Sequence, residues 1–316
     1  MSDESAAFSH EALFYGGEEQ FLAEALPFIE EGLAAGELIL VAVGGAKIRL
    51  LESRLGGRRD GVRFADMTEI GRNPACLLGV WREFVDNQAV VGRPVRGIGE
   101  PVWAERSPAE LVECERHESL LNVAFSDAPA WRLLCPYDTE ELEPSVIETA
   151  RRNHPFILDG GRVRRSEAYL DPDEARGPFD GPLPDPPGKA DRITFVRDDL
   201  SEVRSFIYRH AKDAGLDRER TANLVLAVSE IATNSVRHAD GHGDLLVWGE
   251  SGALLCEVRD EGRIDSPLVG RERPAPSELD GRGLWVVNQL CDLVQIRSSA
   301  EGNVIRLHMS LDLSLN

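Results

Sequence analysis

One short stretch of the chain carries polar side chains at a spacing that could bind a metal ion. Glu230, Asn234 and His238 recur every fourth residue in the sequence EIATNSVRH, so on a helix they share one face. The positions expected to face a core are Leu226, Val228, Ile231 and Val236. A carboxylate and an amide one turn apart suit a hydrated Mg²⁺ ion. The spacing by itself equally fits an amphipathic helix whose polar face meets water.

Two segments further along the chain add to this pattern. Asp260 ends a strand-like run and is followed closely by Gly262, so its carboxylate could accept a hydrogen bond from an adenine amino group. The sequence DGRGL at residues 280–284 opens a helix, where glycines let backbone N–H groups approach phosphate oxygens. The three segments together indicate a nucleotide site, although each alone is a weak signal.

The elements that would position these residues follow residue 192. Helix-like segments are 200–214, 217–238 and 283–289, and strand-like runs are 193–196, 244–250, 253–260, 294–298 and 303–310. Helices followed by consecutive strands predict an α/β sandwich, in which helices cover one face of a mixed sheet.

The three segments resemble the N, G1 and G2 boxes of the GHKL ATPases, and SEIATNSVRHA and GRGLWVV are most similar to the anti-sigma-factor serine/threonine kinases. This resemblance implies ATP and Mg²⁺ as cofactors, phosphorylation of an anti-anti-sigma (STAS-domain) partner, and sequestration of a sigma factor. By position, Glu230 resembles the general base, Asn234 the Mg²⁺ ligand and Asp260 the adenine-reading residue. The other residues that the resemblance places at the ATP pocket are His238, Gly262, Gly281, Arg282, Gly283 and Leu284.

The segment departs from the family pattern at three places. Ile264 stands where many GHKL proteins have a second glycine, which predicts a stiffer turn. Asn303 stands where threonine is common in the closing strand. Residues 264–279, which would form the ATP lid, make a short segment that is rich in proline and charged residues.

The first half of the chain has a different order of elements. Strand-like runs at 38–43, 62–66, 93–99 and 131–135 alternate with helix-like segments, which predicts a mostly parallel α/β domain. The motifs HEALFY, GIGEPVW, HESLLN and CPYD resemble the MEDS sensory domain, which is similar in outline to RecA-type folds. The resemblance implies sensing of an unknown small-molecule ligand. No GxxxxGK[ST] motif is present to bind phosphate.

The candidate contacts for the sensory ligand are His10, His117 and Cys135, within a region that also holds Glu100, Trp103, Glu118 and Tyr137. Each has a structural alternative. His10 could cap or pack an N-terminal turn. His117 and Glu118 could hold their helix to the sheet, and Cys135 could serve as a small buried hydrophobe.

Chain length and a proline-rich, acidic segment indicate how the chain divides into domains. A chain of 316 residues suits two domains. We assign residues 8–165 to the MEDS-like domain, 166–191 to an acidic, proline-rich linker, and 192–316 to the GHKL domain.

Charge and hydropathy restrict location and partners. The net charge of −20 argues against direct nucleic-acid binding. Apolar runs such as 38–43 are too short to cross a membrane. The first seven residues contain Asp3 and Glu4 and no basic residue, whereas a signal peptide begins with basic residues, so a signal peptide is not expected. The predicted location is the cytoplasm. The sequence leaves open whether the protein forms a homodimer, because it shows no exposed apolar stripe that would indicate a dimer interface.

The five cysteines are dispersed without a CxxC pair, which predicts reduced, mostly buried thiols and gives no indication of a metal site. They are Cys76, Cys114, Cys135, Cys256 and Cys291.

Two other functions share the GHKL fold. A sensor histidine kinase needs a helical hairpin with a phosphoacceptor histidine before the ATPase domain. Here that stretch is the proline-rich linker, and His210 lies inside the domain itself. A non-catalytic module that binds ATP structurally and acts by capturing partners is the other alternative. The presence of Glu230 argues against this module without excluding it.

Overall fold

The computed structural model describes residues 8–58, 60–90, 92–171, 181–186, 188–274 and 282–311. The chain forms two compact units, which divide between residues 179 and 180. The argument against a signal peptide rests on residues 1–7, which lie outside the described part. Residues 172–180 and 187 of the predicted linker also lie outside it. The domain boundaries drawn from the sequence stay a prediction. None of the helices in the described ranges is long and apolar enough to cross a bilayer.

The first unit is built on a sheet of seven strands within the described ranges, in the order β3-β2-β4-β5-β1-β6-β7. Neighbouring strands are parallel except β6 and β7, which are antiparallel. The strands are β1 (Ser9–Tyr15), β2 (Leu38–Val43), β3 (Val62–Asp66), β4 (Val95–Gly99), β5 (Arg132–Asp138), β6 (Phe156–Asp159) and β7 (Arg162–Arg165). The predicted mostly parallel α/β fold is confirmed.

Helices connect these strands. They are α1 (Gly17–Ala34), α2 (Gly45–Leu55), α3 (Met67–Ile70), α4 (Leu77–Val90), α5 (Pro108–Ala124) and α6 (Pro144–Asn153). Helix α5 has a well-defined start, because the Ser107 side chain accepts a hydrogen bond from the Glu110 N–H while the Glu110 carboxylate accepts one from the Ser107 N–H. Such a cap contributes about 1 kcal/mol. It fixes the register of the helix that carries His117 and Glu118.

Strand β1 lies inside the sheet and pairs with β5 on one side and β6 on the other. His10, the second residue of this strand, is fully buried. The alternative in which His10 caps or packs an N-terminal turn is therefore wrong. Alternation along the strand turns His10 and Ala12 to one face of the sheet, and Leu13 and Tyr15 to the opposite face, where both belong to one hydrophobic cluster.

The second unit is built on a sheet of five strands within the described ranges, in the order β11-β12-β10-β9-β8. All four neighbouring pairs are antiparallel, so the sheet of the predicted α/β sandwich is antiparallel in the described ranges and not mixed. The strands are β8 (Asp191–Val196), β9 (His242–Glu250), β10 (Ala253–Asp260), β11 (Leu293–Ser299) and β12 (Gly302–Ser310).

Three helices pack with this sheet around one hydrophobic core. They are α7 (Leu200–Asp213), α8 (Arg218–His238) and α9 (Arg282–Leu290). Helix α8 contributes Val228, Ile231 and Val236 to the core, as predicted, whereas the Leu226 side chain is 45% exposed. Leu226 was assigned to the core face in error: Leu224 and Ala227 are buried beside it.

Candidate functional site

Helix α8 presents the predicted polar face of the second unit. The helix begins at Asp217, whose side chain accepts a hydrogen bond from the Arg220 N–H at 2.8 Å. Glu230 and Asn234 are half-buried, while His238 is exposed in the last turn. The apolar side of α8 is anchored in the core, so Glu230 and Asn234 are held on a rigid element at the border of the core.

The start of helix α9 lies directly against this polar face. A Cβ atom added at Gly283 would lie 3.1 Å from Glu230 Oε2 and 3.2 Å from Asn234 Nδ2. A side chain at this position would press on both groups, so the structure brings Gly283 directly against Glu230 and Asn234, which lie about fifty residues earlier in the sequence. Arg282, the first residue of α9, is exposed. Gly281 lies outside the described residues.

Leu284 occupies a different position from the other predicted pocket residues. Its side chain is buried in the hydrophobic core of the second unit. A contact between Leu284 and a ligand would therefore come from its backbone N–H group at the helix start.

Asp260, the last residue of β10, is held by three hydrogen-bond donors. Asp260 Oδ1 accepts from the Gly262 N–H at 2.9 Å and from Asn303 Nδ2 at 2.7 Å. Asp260 Oδ2 accepts from the Ser235 hydroxyl at 2.5 Å. A carboxylate oxygen has two lone-pair directions, so Oδ1 is saturated by these bonds and Oδ2 retains one acceptor position.

Two of the three departures from the family pattern have structural roles beside Asp260. The Asn303 amide orients the carboxylate, and its own Oδ1 accepts from the Ser298 hydroxyl at 2.6 Å. The Ile264 N–H donates to the same Ser298 oxygen at 2.9 Å, which fixes the chain after the turn. Gly262 is required for space, because an added Cβ would lie 3.0 Å from both Asn303 Nδ2 and Asp260 Oδ1.

The segment predicted to form a lid is described up to residue 274, and residues 275–279 lie outside the described part. Gly270 adopts a φ of +73° and packs against Leu284, where a Cβ would approach to 2.8 Å. Its carbonyl accepts a hydrogen bond from Asn288 Nδ2 at 2.8 Å. The segment is therefore tied to α9 at this point.

Three residues that hold Asp260, directly or through Asn303, were not recognised from the sequence. Ser235 lies within the motif on α8, next to Asn234, and was assigned no role. Asn303 was noted only as a departure, and Ser298 was not noted. A polar residue opposite a strand-end carboxylate was the available signal: in the antiparallel register Asp260 pairs with Asn303, and Asn303 with Ser298.

The three candidate ligand contacts of the first unit are all buried, with at most 1% of each residue exposed. The structure brings together His10 and Cys135, whose Nε2 and Sγ atoms are 3.4 Å apart. Burial lowers the pKa of His10 and raises the pKa of Cys135 well above its usual value. His117 lies on α5 beside Glu118 but outside this pair, whereas Glu118 itself contacts His10 at 3.0 Å.

A second polar group of the first unit lies where strands β1 and β4 end. The Tyr15 hydroxyl donates to Glu100 Oε1 at 2.7 Å, and Lys47 Nζ lies 2.5 Å from the Tyr15 oxygen and 2.6 Å from Glu100 Oε1. Burial raises the pKa of Glu100, and Lys47 opposes that shift. Glu100 was noted in the sequence, whereas Lys47 and Tyr15 were not.

Two family models match the chain. Residues 9–155 match MEDS, the methanogen/methylotroph, DcmR sensory domain, and residues 195–309 match the histidine kinase-like ATPase domain. A comparison with curated proteins found no match.

Solved structures give more distant similarities. The RsbU and RsbW domains of Rv1364c from Mycobacterium tuberculosis share 20% identity, with a TM-score of 0.31 over 39% of this chain and 32% of that chain. The histidine kinase AdeS from Acinetobacter baumannii shares 13% identity, with a TM-score of 0.25 over 39% of this chain and 69% of that chain. This chain thus spans about a third of the mycobacterial one.

Proposed function

Since the chain joins a MEDS domain to a histidine kinase-like ATPase domain, we propose that it is an ATP-dependent protein serine/threonine kinase under the control of a sensory domain. Its proposed phosphate acceptor is an anti-anti-sigma (STAS-domain) protein, and its second partner is a sigma factor that it sequesters. A cytoplasmic location belongs to the same proposal, because that is where both kinds of partner act.

The observation that carries this proposal is the hydrogen bonding of Asp260. Ser235, Gly262 and Asn303 fix the carboxylate and leave one acceptor position on Oδ2. The amino group of adenine is a donor that fits this position, while the carbonyl oxygen that guanine carries there is an acceptor and is repelled. The site therefore favours ATP over GTP.

The proposed phosphate end of the site lies between α8 and the start of α9. Because Gly283 carries no side chain, phosphate oxygens can approach the N–H groups of the first turn, and the helix dipole favours the negative charge. Asn234, next to Gly283, fits a Mg²⁺ ligand because its amide oxygen is hard and the remaining ligands can be phosphate oxygens and water. Mg²⁺ neutralises charge on the phosphates when bound. Gly281, Arg282 and His238 are proposed to line the same pocket.

Glu230 is the proposed general base. It lies one helical turn before Asn234 and directly next to Gly283. In the proposed reaction, the serine or threonine oxygen of the partner forms a bond to the γ-phosphorus while the bond from that phosphorus to the β–γ bridging oxygen breaks. The hydroxyl proton passes to Glu230, and ADP leaves.

The histidine kinase alternative lacks support in this chain. His210, the histidine considered in the sequence, lies within α7 of the ATPase-like unit and not before that unit. Its Nδ1 bonds the Phe206 carbonyl at 2.9 Å and its Nε2 contacts Asp191 Oδ2 at 3.0 Å, so both ring nitrogens are engaged inside the domain.

A phosphotransfer assay tests the proposal. The full chain is incubated with γ-labelled ATP, Mg²⁺ and a panel of STAS-domain proteins, and Asn234→Ala serves as the matched inactive variant. We expect label on a serine or threonine of one partner, and none with the variant. ATP-dependent partner capture without any transfer would instead support the non-catalytic module.

A further inference from the structure

Four buried side chains of the first unit converge on one point between the sheet and its helices. They are His10 on β1, Glu118 on α5, Cys135 on β5 and His154 directly after α6, and each is at most 1% exposed. His10 Nε2 lies 3.0 Å from Glu118 Oε2, and His154 Nε2 lies 3.3 Å from the same oxygen. Cys135 Sγ lies 3.4 Å from His10 Nε2, and all four ligand atoms lie within 4.8 Å of one another.

The outer nitrogens of both imidazoles are fixed by hydrogen bonds. His154 Nδ1 donates to the Ala150 carbonyl at 2.8 Å. His10 Nδ1 lies 3.1 Å from Asn122 Oδ1, and the Asn122 amide is oriented because its Nδ2 donates to the Asn153 carbonyl at 2.8 Å. Both Nδ1 atoms therefore carry the proton, and in the neutral rings both Nε2 lone pairs point into the cluster.

This arrangement leaves acceptors facing acceptors. Two Nε2 lone pairs and the Glu118 carboxylate meet at about hydrogen-bond distance around the Cys135 thiol, whose single proton can bond only one of them. A metal cation at the centre would make all of these contacts attractive at once. Within the described residues, His154 Nε2 and Glu118 Oε1 are buried without a hydrogen-bond partner. Imidazole N–H groups that donate outward to a carbonyl while the inner nitrogen stays free are typical of metal-binding histidines.

Distance and charge both fit a divalent metal ion. With metal–ligand bonds of about 2.1–2.3 Å, the ligand atoms of a tetrahedral zinc site lie about 3.4–3.7 Å apart. To reach this geometry, the pairs separated by 3.0, 3.3 and 3.4 Å must widen by a few tenths of an ångström, and pairs separated by up to 4.8 Å must close by about 1 Å. One carboxylate and one thiolate balance a 2+ charge, so the filled site is neutral, as a water-excluded interior requires.

We propose that His10, Glu118, Cys135 and His154 form a metal site of the first unit that binds one divalent transition-metal ion, with Zn²⁺ as the ion that suits two imidazoles, a thiolate and a carboxylate. Binding releases the proton of the Cys135 thiol to solvent. Four protein ligands close the site, so the ion is a permanent component that joins β1, β5, α5 and the end of α6.

The first test uses the unmodified full chain, purified without a metal-affinity step. After incubation with Zn²⁺ and removal of weakly bound ions by a chelator, elemental analysis is expected to find one Zn²⁺ per chain. X-ray absorption at the zinc edge is expected to show one sulfur and three nitrogen or oxygen ligands. A chain that retains no zinc, or zinc without a sulfur ligand, would overturn the proposal.

The second test replaces Zn²⁺ with Co²⁺ and compares two cysteine variants. Cys114→Ser is the matched control, since Cys114 is also buried in this unit but bonds the Pro101 carbonyl at 3.2 Å, outside the cluster. The thiolate-to-cobalt charge-transfer band is expected in the unmodified chain and in Cys114→Ser, and is expected to vanish in Cys135→Ser. Asn122→Ala, which frees the His10 ring, is expected to weaken metal affinity about 10–100-fold. An unchanged cobalt spectrum in Cys135→Ser would refute the site.

Discussion

The polar groups of the two units are arranged in opposite ways. In the second unit, Glu230, Asn234 and Asp260 are partly exposed, and two of them lie one turn apart on a single helix. In the first unit, His10 and Glu118 are buried and come from distant parts of the chain. A partly open site suits a ligand that enters and leaves, such as a nucleotide. A closed site suits a group that stays in place.

Among substitutions that test this difference between the two units, the largest effect is expected from replacing Glu230. Glu230→Gln keeps the size and most hydrogen bonding of the side chain but cannot accept a proton. We expect transfer to the partner protein to slow by about 10²–10⁴-fold, with ATP binding retained. Single-turnover transfer measures this rate, and a variant as fast as the unmodified chain would reduce Glu230 to a solvated helix residue.

In the buried cluster, the corresponding change is expected to act on stability. Glu118→Leu removes the carboxylate that contacts His10 and His154, and should destabilise the first unit by about 3–5 kcal/mol. Hydrogen exchange, read peptide by peptide, reports the two units separately. The exposed Glu105 provides the control, since Glu105→Leu should change stability by less than about 0.5 kcal/mol. If Glu118→Leu lowered the stability of the first unit by less than about 1 kcal/mol, this would contradict the proposed difference between the two units.

An intermediate effect is expected at Asp260. In Asp260→Asn, the amide oxygen can take the place of Oδ1 and keep the bonds from Gly262 and Asn303. The amide NH₂ group then replaces Oδ2 and faces the adenine amino group, donor against donor. ATP binding should weaken by about 1.5–3 kcal/mol while the fold is retained. Calorimetry with ATP that gave the same affinity for both proteins would remove Asp260 from the pocket.

The smallest effect is expected at Ser235, which donates to Asp260 Oδ2. Ser235→Ala should weaken ATP binding by about 0.5–1 kcal/mol, because the carboxylate keeps its two other donors. Ser229 lies earlier on the same helix and bonds the Val225 carbonyl at 2.6 Å, so Ser229→Ala is a matched control that should leave ATP affinity unchanged. Equal losses in the two variants would indicate a general effect on α8.

The sequence predicts the second unit well because its signals are local. Asp217 and the apolar spacing of 224–236 define α8, and strand β10 is predicted with its observed bounds, Ala253–Asp260. The polar face of α8 needs only helical geometry to be recognised. The bonds among Asp260, Asn303 and Ser298 depend on strand register, which no single segment specifies.

The first unit is harder to predict because its polar cluster depends on tertiary structure. His154 was assigned no role, since it lies more than thirty residues from Glu118 and beyond any helical repeat. The cysteine spacing gave no indication of a metal site, and a site that takes one ligand from each of four elements leaves no such pattern. His10 was recognised as a candidate, but its place on a central strand follows only from the pairing of β1 with β5 and β6.

We expect the second unit to bind ATP through Asp260 and Asn234, and titration calorimetry on the unmodified full chain tests this binding most directly. ATP and GTP are titrated in parallel, each with Mg²⁺ and with a chelator. We expect one ATP to bind per chain, with lower affinity when Mg²⁺ is removed, and we expect GTP to bind much more weakly. Equal affinity for ATP and GTP, or ATP binding that is indifferent to Mg²⁺, would contradict it.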